Sequence, residues 1–176
     1  MKKNYLISTG GSGGHVIPAI ILHEHLSQEA NIIFSTDKRG LKFIDKNFFE
    51  IEILNTPKLN NIFLFPLNFL VISFLIIKSL IILKKRKIDK IFSTGGYMSL
   101  PLIFAGKILN LDVFLIEPNL VLGRANKFFL KSCKKIFCYT DQIKNFPKKF
   151  KDKIIIIKPL VRKHFYKFVP SFKEKN

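Results

Sequence analysis

Short apolar runs alternate with polar or glycine-rich turns along the chain. Seven runs are short enough for strands: residues 5–7, 31–35, 49–54, 88–94, 112–116, 134–139 and 152–157. Five segments between them have helical length and spacing: residues 19–26, 41–47, 62–83, 98–109 and 121–131. Strands that alternate with helices require a parallel sheet with right-handed crossovers, so the pattern predicts an α/β fold with a parallel sheet.

The most hydrophobic segment is residues 62–83, which is long enough to cross a bilayer. Lys78 and Pro66 argue against a span, and the basic run Lys84-Lys85-Arg86-Lys87 follows directly. A helix lying on an anionic membrane surface explains both the apolar residues and the adjacent charge. A helix buried in the core explains the apolar residues alone, and a true span is the third alternative.

A glycine-rich turn at residues 10–14 joins the first strand to the first helix. Free backbone N–H groups and the positive end of a helix dipole suit such a turn to an anion, and glycine lets a phosphate approach the backbone closely. The turn is not a P-loop, because no Gly-Lys-Ser/Thr follows, and Val16 breaks the dinucleotide-binding pattern. A tight turn that binds nothing is the alternative.

His15 stands at the mouth of this turn, where an imidazole can donate to a phosphate or take a proton from a hydroxyl. A histidine that caps the helix or faces solvent is an equally simple interpretation. Two more polar clusters, at residues 95–97 and 117–119, also follow strands. Ligands bind at the carboxyl edge of a parallel sheet, so the three clusters predict one site.

Charge and composition restrict the partners. Thirty basic and 12 acidic residues give a net charge of +18 and a pI of about 10.0, which indicates an anionic partner. No nucleic-acid-binding module is recognisable, so membrane lipid or a phosphorylated substrate is expected instead. Cys133 and Cys138 form neither a metal framework nor a disulfide scaffold, which favours a reducing compartment, and the N-terminus has no apolar stretch typical of a signal peptide.

Three motifs resemble those of the MurG family of glycosyltransferases. Residues 10–18 (GGSGGHVIP) resemble the signature GGTGGHVFP, and residues 95–101 (GGYMSLP) resemble GGYVSGP. Residues 116–119 (IEPN), followed by Gly123 and Asn126-Lys127, resemble HEQN…G…NK, with Ile116 and Pro118 departing from the pattern. Order and spacing agree over about the first 165 residues, whereas residues 158–162 (KPLVR) match the GNPVR segment of the family only in part.

The resemblance implies a Rossmann-like parallel sheet with helices on both faces, one half of a GT-B type glycosyltransferase. The family transfers N-acetylglucosamine from UDP-N-acetylglucosamine to a lipid-linked muramyl-peptide, peripherally at the cytoplasmic face of the plasma membrane. Residues 1–165 then form the acceptor-binding domain and residues 166–176 a tail or the start of a second domain. A donor-binding domain or partner chain is expected to complete the enzyme, and neither a cofactor nor a metal is expected. A non-catalytic membrane-binding fragment, or a subunit of a split lipid-linked-sugar transferase, is the alternative.

The resemblance also implies roles for single residues. His15 is the first candidate for the catalytic base and Glu117 the second, although Glu117 could instead be a structural carboxylate. The two glycine turns, the second of them at Gly95 and Gly96, would hold a diphosphate, and Tyr97 would line the acceptor cleft. Positions that match donor contacts in the family are Ser12, Gly13, Gly14, Asn119 and Arg162.

Overall fold

A computed structural model describes residues 2–57 and 65–162 and shows a seven-stranded parallel sheet. The strands are β1 (Lys3–Ser8), β2 (Ala30–Thr36), β3 (Glu50–Ile53), β4 (Lys90–Ser93), β5 (Asp112–Glu117), β6 (Lys135–Cys138) and β7 (Ile154–Ile156). The helices are α1 (Gly13–Leu26), α2 (Phe65–Lys85), α3 (Leu100–Ile108) and α4 (Arg124–Phe129). All seven strand predictions are confirmed to within two residues at each end.

The strand order is β3-β2-β1-β4-β5-β6-β7, so the chain changes direction across the sheet between β1 and β4. Right-handed crossovers therefore place α1 on one face and α2, α3 and α4 on the other. Two separate core clusters bear this out, because α1 packs with one set of strand residues and the other three helices with a second set. The predicted Rossmann-like fold is confirmed. The switch in direction opens a crevice beyond β1 and β4, where ligands bind in folds of this kind.

Alternation along the strands builds both cores. Leu6 of β1 packs with α2, α3 and α4, whereas its neighbours Tyr5 and Ile7 pack on the side of α1. On that second side, Phe92 and Phe114 stack at 5.2 Å, next to Tyr5. The strands thus read as near-continuous apolar runs, as expected for a parallel sheet covered on both faces.

Helix α2 packs on the domain through one stripe. Its buried members follow a heptad-like spacing: Asn68, Leu75, Ser79, Ile82 and Leu83. Residues 66–85 meet the length and composition of a membrane span, with a mean hydropathy of 2.3, but a third of that window is buried in the domain. Seven large apolar side chains of this helix are exposed: Leu67, Phe69, Leu70, Val71, Phe74, Ile77 and Ile81. Residues 62–64 of the predicted helix lie outside the described residues, as does the predicted domain boundary at 165.

The helix predictions were less accurate than the strand predictions. Residues 41–47 form no α-helix, only a 3₁₀ turn at Gly40–Phe43, because the extended Ile44 turns into the core. Helix α4 begins at Arg124 instead of residue 121, because the Leu122 and Gly123 amides donate to Lys144 and Glu117. A 3₁₀ turn at Tyr97–Ser99 precedes α3, and α1 begins within the glycine turn itself.

Candidate functional site

Two glycine loops meet at the carboxyl ends of β1 and β4. Gly11, Gly95 and Gly96 have φ values of +80°, +93° and +90°, a region that only glycine adopts readily. The two strand ends are joined by a buried hydrogen bond, in which the Thr94 hydroxyl donates to Thr9 Oγ1 at 2.9 Å. The loops are therefore held together at the crevice between β1 and β4.

His15 bridges these loops. Its Nδ1 lies 2.8 Å from the carbonyl oxygen of Thr94, and because a carbonyl can only accept, Nδ1 carries the proton. In the neutral imidazole Nε2 is then the acceptor nitrogen. The half-buried ring stands beside Gly95, where an added Cβ would lie 3.3 Å from His15 Cε1. The arrangement provides a base whose tautomer and orientation are both fixed.

The N-terminus of α1 opens beside His15. Ser12 is the N-cap residue, and the first intrahelical hydrogen bonds run from the amides of His15 and Val16 to Ser12 O. The amides of Gly13 and Gly14 precede these bonds and point out of the helix end. The first turn carries no acidic residue, so its positive dipole end is not neutralised there. This end of α1 suits a phosphate group.

Glu117 organises the loop after β5. Its buried carboxylate accepts four hydrogen bonds, two at each oxygen. Oε1 accepts from the backbone N–H and the Nδ2 of Asn119, at 3.2 and 2.9 Å. Oε2 accepts from the Gly123 N–H and Asn126 Nδ2, at 2.8 and 3.0 Å. A carboxylate so fully engaged holds its loop in place, which favours the structural interpretation of Glu117 over that of a base.

These loops enclose a cleft of about 410 Å³. Its lining brings together most of the predicted site: His15, Gly95, Gly96, Tyr97, Glu117 and Asn119. The other lining residues belong to the start of α4: Gly123, Arg124, Ala125 and Asn126. Ser12, Gly13 and Gly14 stand at the adjacent end of α1. Arg162 is exposed and is not part of the lining; its neighbour Val161 accepts a hydrogen bond from His25 on α1.

Asn126 carries a buried, unpaired acceptor next to this cleft. Its Nδ2 donates to Ile116 O and Glu117, whereas its buried Oδ1 has no hydrogen-bond partner among the described residues. That oxygen would lie 3.4 Å from a Cβ added to Gly95, as His15 Nδ1 would, so it stands close to His15. A buried acceptor without a partner is costly and suits a ligand hydroxyl or amide.

Tyr97 is held by the ion pair of Asp37 and Arg39, which lies outside the three motifs. Arg39 donates to Asp37 Oδ2 through Nε and Nη2, at 3.0 and 2.9 Å, and through Nη2 also to the Tyr97 hydroxyl. Asp37 Oδ1 in turn accepts from the Gly11 and Gly40 amides. Asp37 directly follows β2, so the edge rule that singled out the three clusters would have found it too.

Neither cysteine is suited to catalysis, since both are buried and burial raises the pKa of the Cys138 thiol to about 12. Within residues 2–57 and 65–162, no group of three or more His, Cys, Asp or Glu side chains could hold a metal ion.

Comparison with known proteins gives concordant matches. The model of the glycosyltransferase family 28 N-terminal domain matches residues 5–138. Two relatives carry the name UDP-N-acetylglucosamine–N-acetylmuramyl-(pentapeptide) pyrophosphoryl-undecaprenol N-acetylglucosamine transferase. The one from Pelagibacter ubique is 53% identical over 94% of this chain and 47% of its own length. The one from Rickettsia prowazekii is 40% identical over 93% of this chain and 42% of its own length.

The chain therefore spans about half the length of these curated relatives. Among solved structures, Acinetobacter baumannii MurG superposes with a TM-score of 0.74 at 19% identity, over 97% of this chain and 50% of that one. At that identity the superposition shows the fold.

Proposed function

Because the chain belongs to glycosyltransferase family 28, as its motifs predicted, we propose that it is the acceptor-binding half of an N-acetylglucosaminyltransferase. The donor is UDP-N-acetylglucosamine and the acceptor a lipid-linked muramyl-peptide, the substrates in the names of its relatives. The observation that carries the proposal is His15, held at 2.8 Å from Thr94 O in the cleft between β1 and β4.

In the proposed reaction the acceptor hydroxyl lies at His15 Nε2, which takes its proton as the oxygen attacks the anomeric carbon. The new C–O bond forms as the bond to the diphosphate breaks, and UDP leaves with the electron pair, inverting the anomeric centre. A positioned general base contributes roughly 10²- to 10⁴-fold to such a step. Glu117, with four donors on its carboxylate, shapes the loop that carries Asn119 and Asn126.

The diphosphate of a bound substrate is placed at the N-terminus of α1. Gly13 and Gly14 supply outward-facing amides there, and Ser12 supplies an exposed hydroxyl. Gly95 and Gly96 let the ligand approach the second loop closely. Asn119 and Arg162 remain proposed donor contacts, with Arg162 reaching the donor from outside the cleft.

A second, donor-binding domain or chain completes the enzyme, since the relatives are about twice as long. Residues 1–165 are the acceptor domain in this proposal. The isolated 176-residue chain is then expected to show no transfer.

Peripheral membrane attachment through α2 places this domain at the cytoplasmic face of the plasma membrane. Seven exposed apolar side chains on α2 and the exposed Lys84, Lys85 and Lys87 support this part of the proposal. Arg86 is not counted among these membrane-facing cations, because it pairs with Glu50 and Glu52 of β3.

The proposal is tested by a chimera that joins residues 1–162 to the remaining half of the Pelagibacter ubique relative. Radiolabelled UDP-N-acetylglucosamine and a lipid-linked muramyl-pentapeptide are the substrates. The chimera should transfer the sugar, and the 176-residue chain alone should not. A well-folded chimera that binds neither substrate would contradict the proposal and favour a non-catalytic membrane-binding module. Transfer by the chain alone would contradict the need for a second half.

A further inference from the structure

A second hollow, of about 260 Å³, adjoins the cleft at Tyr97, which lines both. Its other lining residues come from the ends of β2 and β3: Asp37, Lys38, Arg39, Asn55 and Thr56. None of the motifs that resemble the MurG family supplies these five residues. The hollow therefore extends the site beyond the cleft in which His15 stands.

Asp37, Lys38 and Arg39 together give the hollow a net formal charge of +1. Asp37 is 5% exposed, and both of its oxygens are engaged, Oδ1 by the Gly11 and Gly40 amides and Oδ2 by Arg39. Although burial favours the protonated acid, these donors hold the pKa of Asp37 below its ordinary value. The carboxylate is therefore ionised, and the charge of Arg39 balances it. The Arg39 side chain remains 42% exposed, and Lys38 is exposed beside it.

The uncharged groups of the hollow are oriented as donors. The Tyr97 oxygen accepts from Arg39 Nη2, which leaves the phenolic hydrogen to be donated elsewhere. Burial raises the pKa of Tyr97 in spite of the nearby Arg39, so the phenol keeps its proton near neutral pH. Asn55 Oδ1 accepts from the Lys38 N–H at 3.0 Å, so its Nδ2 is the side that can serve a ligand.

A surface with a net positive charge and two neutral donors, Tyr97 and Asn55, selects a group that accepts hydrogen bonds and carries negative charge. We propose that this hollow is a subsite for an anionic group, carboxylate or phosphate, of the acceptor whose hydroxyl reacts at His15. The inference rests on the proposed function. The acceptor named for the relatives offers both sources, in its pentapeptide and its pyrophosphate.

The test is a titration of the ¹⁵N-labelled 176-residue chain, followed by amide chemical shifts. The probes are N-acetylmuramyl-pentapeptide, the same compound with its carboxylates amidated, and inorganic pyrophosphate. At least one anionic probe should shift the amides of Lys38, Arg39 and Asn55. A response to the peptide that amidation abolishes identifies the carboxylate as the source, and a response to pyrophosphate identifies the phosphate.

Lys38→Ala should weaken binding of the responding probe about three- to tenfold. Lys42→Ala, which removes another exposed charge outside the hollow, should leave the affinity for that probe within twofold. Shifts confined to His15 and Gly95, or equal effects of the two variants, would overturn the subsite and leave the proposed function standing. If no probe shifts any amide, both the subsite and acceptor binding by this chain are wrong.

Discussion

The Nδ1 of His15 donates to the carbonyl oxygen of Thr94, and this 2.8 Å contact joins the start of α1 to the end of β4. A backbone acceptor cannot take up or lose a proton in the working range, so the tautomer of His15 does not depend on a second titrating side chain. Nε2 is therefore the acceptor nitrogen of the neutral ring, and His15 lines the cleft. The position of the His15 ring depends on Gly95, because glycine has no Cβ and so leaves room for the ring.

Replacing His15 by alanine should lower kcat of the chimera by roughly 100-fold or more, because the general base is lost. KM for the acceptor should change little, since the glycine loops and Asn126 remain. Initial rates at saturating donor measure both constants. Circular dichroism of the variant must match that of the parent chimera, so that lost folding is not mistaken for lost chemistry. Activity within a few-fold of the parent would make His15 a binding residue and return Glu117 to consideration.

Glu117→Gln should act mainly on stability. The substituted amide places a donor where the carboxylate accepted from backbone N–H groups, so at least one buried donor loses its partner, at a cost of about 1–3 kcal/mol. Urea denaturation of the 176-residue chain measures the change. Glu29→Gln, the same substitution at an exposed site, is the control and should stay within about 0.5 kcal/mol.

Comparing kcat of the chimera carrying His15→Ala with that of the chimera carrying Glu117→Gln separates the two candidate bases. If Glu117 were the base, Glu117→Gln would lower kcat by roughly 100-fold or more, and His15→Ala would stay within a few-fold of the parent. The four donors on Glu117 predict the opposite order of effects.

Much of the site could be predicted from the sequence, because parallel strands bring their carboxyl ends to one edge. His15, Gly95 and Glu117 follow three different strands and meet in one cleft for that reason alone. The family was predicted from three motifs and is confirmed by the match over residues 5–138. These features depend on local sequence patterns, which can be recognised in a single sequence.

What could not be predicted depends on contacts between distant loops. The link from Arg39 to Tyr97 joins residues 58 apart, and no local pattern indicates it. The late start of α4 has the same origin, since the Leu122 amide is taken by Lys144 O from a later loop. Helix propensity favoured residues 121–131, and tertiary hydrogen bonds overrode it.

Asp37→Asn should destabilise the chain by about 1–3 kcal/mol at neutral pH, because the buried carboxylate that accepts from Arg39 and from the Gly11 and Gly40 amides is lost. The pKa of Asp37 is lowered by folding, so its contribution is complete above the ordinary carboxyl pKa and is lost as the pH falls through the folded value. The difference in unfolding free energy between wild type and Asp37→Asn should therefore be constant near pH 7 and shrink below about pH 4.

Urea titrations at several pH values measure this difference. Asp141→Asn, at an exposed position, serves as the control for the loss of one carboxylate. An equal effect of the two variants, or a difference that does not change with pH, would contradict the role assigned to the Asp37 carboxylate.

The chain should bind anionic vesicles through two determinants, the lysines at the C-terminal end of α2 and the exposed apolar side chains along the helix. Phe74 and Ile77 lie near the middle of α2, whereas Lys84 and Lys85 lie in its last turn and Lys87 lies just beyond it. Each lysine near an anionic surface contributes on the order of 1 kcal/mol, and salt screens it. Replacing the three by glutamine should weaken binding strongly at low salt and little at high salt.

The apolar part should behave differently. Phe74→Ser with Ile77→Ser removes two of the seven exposed apolar side chains and should weaken the binding that persists at high salt. Glutamine at Lys131, Lys148 and Lys151 gives the same change of charge away from α2 and is the matched control. Vesicle sedimentation over a range of salt measures all three variants. Arg86 is left intact, because its pairs with Glu50 and Glu52 tie α2 to β3.

Sodium carbonate extraction of membranes from cells that make the chain separates surface attachment from a span. The fold buries Leu75, Ser79 and Leu83 of α2 against the sheet, so the helix cannot cross a bilayer without leaving its own core. We therefore expect carbonate to release the chain. Retention in the membrane pellet would mean that α2 has left the domain, and the packing of β3 through Arg86 and of α3 against α2 would have to be lost with it.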